Sequence, residues 1–187
     1  MKVIQLYKNE EKLINSAAQN KRDAQHQLFQ QHAPKMLSVC RQYISDLQEA
    51  EEAMLNGFLK VFANLRTFKF EGSFEGWIRR IMIRESISYL RSKKQLAFSD
   101  EEIERYEAPS ASSISALEVE EIQALIDQLP EGYRIVFVMY AIEGYKHKEI
   151  ASLLEISVNT SKTQLFKARK MLQRGIGKLK NASYGTT

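Results

Sequence analysis

Cysteine is almost missing from this chain, whose 187 residues include only Cys40. A single cysteine excludes an internal disulfide framework and a metal site built from a cysteine cluster. Glycine and proline are scarce as well, at 8 and 3 residues, which favours helices over turn-rich β architectures. The hydrophobic share of 44% is sufficient for one or two globular domains, each with its own core.

Long apolar segments are also lacking. The longest run, Ile135–Ile142, falls far short of the roughly 20 residues that a membrane-spanning helix needs. Residues 1–12 show neither the apolar core nor the small-residue cleavage site of a secretory signal. From these absences we expect a cytoplasmic protein with no direct membrane insertion.

The patterns that usually carry catalysis are absent. The histidines, His26, His32 and His147, do not occur at the HExxH spacing that places two metal ligands on one helical face. Gly175–Lys178 lacks the GxxxxGK[ST] spacing of a phosphate-binding loop. No nucleophile motif or paired-carboxylate motif is visible either. We therefore expect no enzymatic activity, no cofactor, no bound metal and no small-molecule substrate.

Charge is distributed unevenly along the chain, although its net value is only +4. Residues 1–95 carry 16 basic against 10 acidic side chains, residues 96–121 carry 1 against 8, and residues 122–187 carry 10 against 5. Two basic blocks on either side of an acidic one indicate two surfaces that meet the same polyanion. The segment 96–116 is first acidic and then rich in serine and other small residues, which is typical of a linker.

The clearest pattern lies between Tyr145 and Leu172, where two helical periodicities flank the short break Glu155–Ser157. Ser157 is positioned to cap the second helix. The inward faces consist of small and apolar residues at three- and four-residue spacing: Ile150, Ala151, Leu154, Leu165, Ala168 and Leu172. This pattern predicts a helix-turn-helix.

The first turns of the second helix of such a motif enter the major groove of DNA. The residues expected to read bases or hold phosphates there are polar or basic: Asn159, Thr160, Lys162, Thr163, Gln164 and Lys167. An ordinary helical hairpin with a solvated basic face is the alternative interpretation of the same pattern.

A second candidate DNA surface lies between Phe68 and Arg91, where aromatic and basic residues interleave. Aromatic rings stack on unpaired bases at about 1–3 kcal/mol per base, while arginines hold phosphates. Such a segment suits single-stranded or melting DNA better than a closed duplex. The alternative is a packed aromatic cluster, and Trp77 in particular is expected to belong to the core.

Carboxylates crowd the beginning of the preceding predicted helix, at Glu49, Glu51 and Glu52. They complement the positive end of the helix dipole, and this is a sufficient structural reason for them. They also form an acidic patch that could bind a basic protein partner. The sequence leaves both interpretations open.

Helical periodicity occurs on both sides of the linker, and one of the later helices is predicted over Arg134–Ile142. We therefore predict an all-α protein with two small helical domains and a flexible connection. The N-terminal domain comprises residues 1–95, the linker residues 96–116, and the C-terminal domain, which contains the helix-turn-helix, residues 117–187.

In this order, the segments resemble the extracytoplasmic-function group of bacterial sigma factors, which are small two-domain initiation factors of RNA polymerase. Glu49–Phe62 is similar to the DAED..QE.F helix of that group. Phe74–Ile81, together with Tyr89–Arg91, is similar to its FxxWLxRIA…LR helix. Ile150–Arg169 resembles its IAxxLxISxxTxKxxLxxAR helix-turn-helix.

The resemblance implies a sigma factor that binds core RNA polymerase and directs promoter recognition and transcription initiation. It implies polymerase contacts at Glu49, Glu51, Glu52 and Asn56. It implies that the helix-turn-helix reads −35 DNA, and that the N-terminal domain reads and opens −10 DNA. The −10 contacts it implies are Lys69, Phe70, Ser73, Phe74, Arg79, Arg80 and Arg84. Besides polymerase and promoter DNA, an anti-sigma factor is implied as a partner.

The chain departs from the pattern of the family at several positions. Leu55 and Asn56 stand where Gln-Glu is usual, Glu155 where the turn often has glycine, and Ser161 where an apolar residue is common. The alternative function is a stand-alone helix-turn-helix regulator with an N-terminal dimerisation or sensor domain. Such a regulator binds its operator tightly by itself, whereas a sigma factor binds promoter DNA weakly until polymerase is present.

Overall fold

The computed structural model describes residues 10–93 and 119–184, and within these ranges all regular structure is helical. The α-helices are α1 (Glu10–Ala18), α2 (Arg22–Tyr43), α3 (Leu47–Asn64), α4 (Phe74–Ser92), α5 (Val119–Asp127), α6 (Glu131–Phe137), α7 (His147–Leu154) and α8 (Val158–Tyr184). The chain packs as two compact units, Met1–Leu90 and Arg91–Thr187. The predicted all-α fold with two helical domains is confirmed. The linker predicted at 96–116 lies outside the described residues.

The first unit is a bundle in which α2 packs against α1 and α3. Its core is apolar, with Leu28, Met36, Tyr43, Phe58 and Ile83 all buried. Helical periodicity in the sequence did not predict α1. That helix is only nine residues long, and it is held by the burial of Leu13, Ile14 and Ala17 rather than by a long periodic pattern.

Gly57 lies in the middle of α3, where glycine costs a helix about 1 kcal/mol relative to alanine. A Cβ at this position would clash with Sδ of Met82 on α4. Gly57 therefore leaves room for the Met82 side chain against α3.

The second unit is organised around α8, against which α5, α6 and α7 all pack. The helix predicted over Arg134–Ile142 begins earlier, at Glu131, and its last part is a π turn over Val138–Ile142. In this turn the amide of Glu143 donates to the carbonyl of Val138 at 3.0 Å. The chain then reverses at Gly144, which adopts a φ of +75°. Glycine adopts this conformation without strain because it has no Cβ.

The predicted helix-turn-helix is formed by α7 and α8. All six residues of the predicted inward faces are buried. Ser157 caps α8, because its Oγ accepts a hydrogen bond from the amide of Thr160 at 2.9 Å. Glu155 ends α7 in the left-handed conformation, with a φ of +56°.

Of the helices in the described ranges, none combines the length and the apolar character that crossing a bilayer requires.

Replacing Glu155 by glycine should stabilise the second unit. The left-handed conformation costs a residue with a Cβ about 1–2 kcal/mol, part of which is offset by the greater freedom of glycine in the unfolded chain. We expect Glu155→Gly to be more stable than Glu155→Ala by about 0.5–1 kcal/mol. The alanine variant is the matched control, since it loses the same carboxylate but keeps the strained φ. Thermal unfolding followed by circular dichroism measures the difference, and a glycine variant no more stable than the alanine variant would contradict the argument.

Candidate nucleic-acid interface

The outer face of α3 combines carboxylates with exposed leucines. Asp46 caps the helix by accepting a hydrogen bond from the amide of Glu49 at 2.9 Å. Glu49 is half-exposed, Glu51 and Glu52 are exposed, and Asn56 is half-buried. Leu55 and Leu59 are 50% and 67% exposed, one and two helical turns beyond Glu51. We call Glu51, Glu52, Leu55 and Leu59 the α3 face.

The leucines of the α3 face were not among the predicted contact residues. Leu55 was noted only as a departure from the family pattern, and Leu59 was not noted. A signal was present, because both residues lie outside the buried stripe formed by Met54, Phe58 and Val61. Exposed leucines beside carboxylates are typical of a surface that binds a protein rather than water alone.

Four aromatic rings form a cluster around the loop that precedes α4. The ring of Phe68 lies 4.9 Å from that of Phe70, 5.1 Å from that of Phe74 and 5.6 Å from that of Trp77. Phe74 is only 3% exposed, and it also meets the ring of His32 edge-on at 5.5 Å. The prediction that Phe74 contacts DNA is therefore corrected: its ring is part of the core.

Phe70 is the exposed member of the aromatic cluster. Its side chain is 42% exposed, and its φ of +59° is in the left-handed region that residues with a Cβ rarely adopt. A strained backbone that holds an aromatic ring outward often serves a binding function. Its ring contacts that of Phe68, which in turn packs against the buried Phe74.

Cationic side chains occur in the same segment of the chain as Phe70. Lys69, Arg80 and Arg84 are exposed, and Arg79 is half-exposed. Ser73, also exposed, caps α4, because its Oγ accepts a hydrogen bond from the amide of Gly76 at 3.3 Å. The one acidic residue in the first turn of α4, Glu75, accepts a hydrogen bond from Lys35 at 2.9 Å, which lowers its pKa. The segment therefore combines an exposed aromatic ring with four exposed or half-exposed cations, although the exposed Glu71 directly follows Phe70.

The first turns of α8 present most of the residues that were predicted to meet DNA. Asn159, Lys162 and Thr163 are exposed, and Thr160 is half-exposed. Lys167 is half-buried, with Nζ 5.9 Å from the centre of the Tyr133 ring.

Gln164 does not belong to this exposed set. Its side chain is only 1% exposed, because it lies on the inner stripe of α8 with Ser161 and Ala168. The prediction that Gln164 reads bases is therefore corrected. The residue that was missed is Phe166, which is 66% exposed on the same helix, one turn after Lys162. The sequence did indicate this exposure, because Phe166 lies beside the apolar stripe of Leu165, Ala168 and Leu172 and does not belong to it.

A polar contact joins α7 to the first turn of α8. Nδ1 of His147 lies 2.9 Å from Oγ of Ser161, whose side chain is fully buried. The imidazole stacks on the ring of Tyr140, with centroids 4.6 Å apart and planes at 26°. Burial lowers the pKa of His147, and the cations Lys162 and Arg169 lower it further.

The comparisons with known proteins identify both units. Residues 28–95 match the family model for sigma-70 region 2, and residues 119–172 match the model for sigma-70 region 4. The chain belongs to the sigma-70 family. The two regions include the aromatic cluster and the helix-turn-helix respectively, and together they cover well over half of the chain.

The relatives place this sigma factor in the extracytoplasmic-function group. It is 26% identical over 176 residues to the ECF RNA polymerase sigma factor SigW of Bacillus subtilis, covering 87% of this chain and 94% of the relative. It is 24% identical over 180 residues to the RNA polymerase sigma-H factor of Pseudomonas aeruginosa, covering 89% and 93%. In fold, it is similar to the sigma factor RpoE of Bartonella quintana, solved with the anti-sigma factor NepR, with a TM-score of 0.52, 18% identity and coverage of 81% and 96%.

Acidification should destabilise this sigma factor before its carboxyl groups titrate. The pKa of His32 is lowered, chiefly by burial and despite Glu10 and Glu75, and that of His147 is lowered as described above. Because both imidazoles bind protons more weakly in the folded chain, unfolding takes up protons. The free energy of unfolding should therefore begin to fall as the pH drops through 6.5, the ordinary pKa of histidine. It should stop falling from this cause once the pH is below the lowered pKa values of the folded chain.

Urea unfolding at several pH values between about 7.5 and 5.5 measures this effect, in a range where the carboxyl groups contribute little. His147→Phe should flatten the pH dependence of the second unit. A free energy of unfolding that rises on acidification through this range would contradict the lowered pKa values.

Proposed function

We propose that this sigma factor binds core RNA polymerase through the α3 face and directs it to promoters that its two domains read separately. The observation that carries the proposal is that regions 2 and 4 occur in order in one chain, each with exposed polar and basic side chains. The N-terminal domain is proposed to comprise residues 1–95 and to act on −10 DNA. The C-terminal domain is proposed to comprise residues 117–187, beyond the linker, and to act on −35 DNA.

The polymerase contact is proposed to combine charge and apolar surface. Glu51 and Glu52, with Glu49 at the edge, would meet basic groups of the polymerase. Leu55 and Leu59 would lose their exposure to water in the complex, and buried apolar side chains are the usual centre of a stable interface. Asn56, which is half-buried, would contribute at the margin.

At the −10 element, Phe70 is proposed to stack on an unpaired base, and Ser73 would bond to it or to its sugar. Lys69, Arg79, Arg80 and Arg84 would hold the phosphates on either side. Unstacking DNA costs a few kcal/mol per step, and stacking contributes about 1–3 kcal/mol per base, so phosphate contacts are needed to complete the opening. No nucleotide hydrolysis enters this scheme, and the proposed role is not enzymatic.

At the −35 element, the first turns of α8 are proposed to enter the major groove. Asn159, Thr160 and Thr163 would contact base edges, and Lys162 and Lys167 would contact phosphates or guanines. Phe166 would lie against the 5-methyl group of a thymine, a contact for which an exposed aromatic ring is suited.

An anti-sigma factor is proposed as a further partner, since the related RpoE of Bartonella quintana is known in complex with one. Because promoters and polymerase are cytoplasmic in bacteria, we propose that the protein acts there. A stand-alone regulator is not favoured, since such a protein has no need of region 2 or of the α3 face.

Reversing one charge on the α3 face should weaken polymerase binding. We expect Glu51→Lys to lower the affinity for core polymerase by about tenfold, which corresponds to about 1.4 kcal/mol, because repulsion replaces attraction at a contact. Asp23→Lys is the matched control, since it makes the same charge change at an exposed position on α2. Binding is measured by titrating labelled sigma factor with core polymerase. Equal affinities for the two variants would contradict a polymerase contact on this face.

Removing Lys162 should reduce the salt dependence of −35 binding. A lysine on a phosphate releases about one counterion, so Lys162→Ala should make the slope of log K against log salt less steep by about 0.9. Lys12→Ala, at an exposed position in the first unit, should leave the slope unchanged. Fluorescence anisotropy on −35 duplexes provides the measurement. A uniform loss of affinity at every salt concentration would exclude the phosphate contact.

Removing the thymine methyl groups of the −35 element should weaken DNA binding only if the chain carries Phe166. We expect replacement of −35 thymines by uracil, which lacks the 5-methyl group, to weaken wild-type binding several-fold, by about 1 kcal/mol. Phe166→Ala should bind thymine and uracil duplexes equally and about as well as wild type binds uracil. If the alanine variant still prefers thymine, another residue recognises the methyl group.

A further inference from the structure

We infer that His147 is a positioning residue for −35 recognition, acting through the buried hydroxyl of Ser161 on the first turn of α8. The inference deepens the proposed function and rests on it. His147 lies on α7, outside the group of side chains proposed to touch bases.

Ser161 lies among the residues of α8 that are proposed to contact DNA. It is flanked by Thr160 and Lys162, and Asn159 and Thr163 lie within two residues, so any movement of Ser161 carries the DNA-facing residues with it. Its side chain is fully buried, at a position where the family pattern commonly has an apolar residue. A buried hydroxyl needs a partner, because leaving it unpaired costs much more than the bond itself contributes. The imidazole Nδ1 of His147, at 2.9 Å, is such a partner.

The imidazole is itself held in place. It stacks on Tyr140, which belongs to the π turn, and Arg169 of α8 lies with its guanidinium carbon 5.5 Å from the centre of the Tyr140 ring. Turns of the π type occur frequently at functional sites. Here the turn supplies the ring that orients His147, and Tyr140, His147 and Ser161 together link the end of the α6 segment, α7 and α8. The contact between His147 and Ser161 therefore helps to hold the first turn of α8 against α7 and the π turn.

The test measures transcription by polymerase with the full chain on a promoter library randomised in the −35 element. The variants are His147→Phe, Ser161→Ala and the double variant, with His26→Phe as a matched control at an exposed histidine of α2. His147→Phe keeps a ring on Tyr140 but leaves the Ser161 hydroxyl unpaired. It should reduce use of the preferred −35 sequence by about tenfold and flatten the discrimination between bases.

The double variant is decisive, because replacing both partners of a buried hydrogen bond by apolar groups can be nearly neutral. We expect it to recover most of the activity and base preference that His147→Phe loses. The inference would be overturned if the activity losses of the two single variants simply multiply in the double variant. It would also be overturned if a folded His147→Phe protein gives less transcript but keeps the wild-type base preference. If the wild-type chain shows no polymerase-dependent −35 preference, the proposed function fails, and the inference fails with it.

Discussion

The packing of α8 against α5, α6 and α7 is the constraint on which the second unit depends. Buried side chains such as Ile150, Leu154, Leu165 and Ala168 fix α8 from one side only. Because an α-helix has 3.6 residues per turn, a buried stripe on one side leaves an exposed stripe on the other. The residues proposed to meet DNA lie on that exposed stripe, and the short turn at Glu155 brings α7 close enough to hold it.

In the first unit, buried packing also supports the side chain that is proposed to contact DNA. Phe70, whose backbone has a positive φ, contacts the half-buried ring of Phe68, which in turn packs against the buried ring of Phe74. To stack on an unpaired base, the Phe70 ring must be exposed on one face and held by packing on the other, because a mobile ring would lose entropy on binding. In both units, therefore, the residues proposed to contact DNA are supported by buried neighbours.

Much of this fold could be predicted from helical periodicity. The inward faces of α7 and α8 and the Ser157 cap were predictable because each is a local property of spacing and capping chemistry. The burial of Gln164 was not, since its amide indicated exposure while its position, one turn from Ser161 and Ala168, placed it inside. The roles of Phe70 and Phe74 were likewise not separable, because the positive φ that sends one ring outward is a tertiary feature. The helix α1 and the π turn were missed because both are short.

Transcription by bacterial core RNA polymerase, with and without the purified chain, on genomic DNA of the source organism tests the proposed function most directly. We expect discrete start sites that occur only when the chain is present, each preceded by common −10 and −35 sequences. We also expect the chain alone to leave no strong footprint on the same promoters. Sharp footprints by the chain alone, without any chain-dependent transcript, would contradict the central claim and indicate a conventional helix-turn-helix regulator.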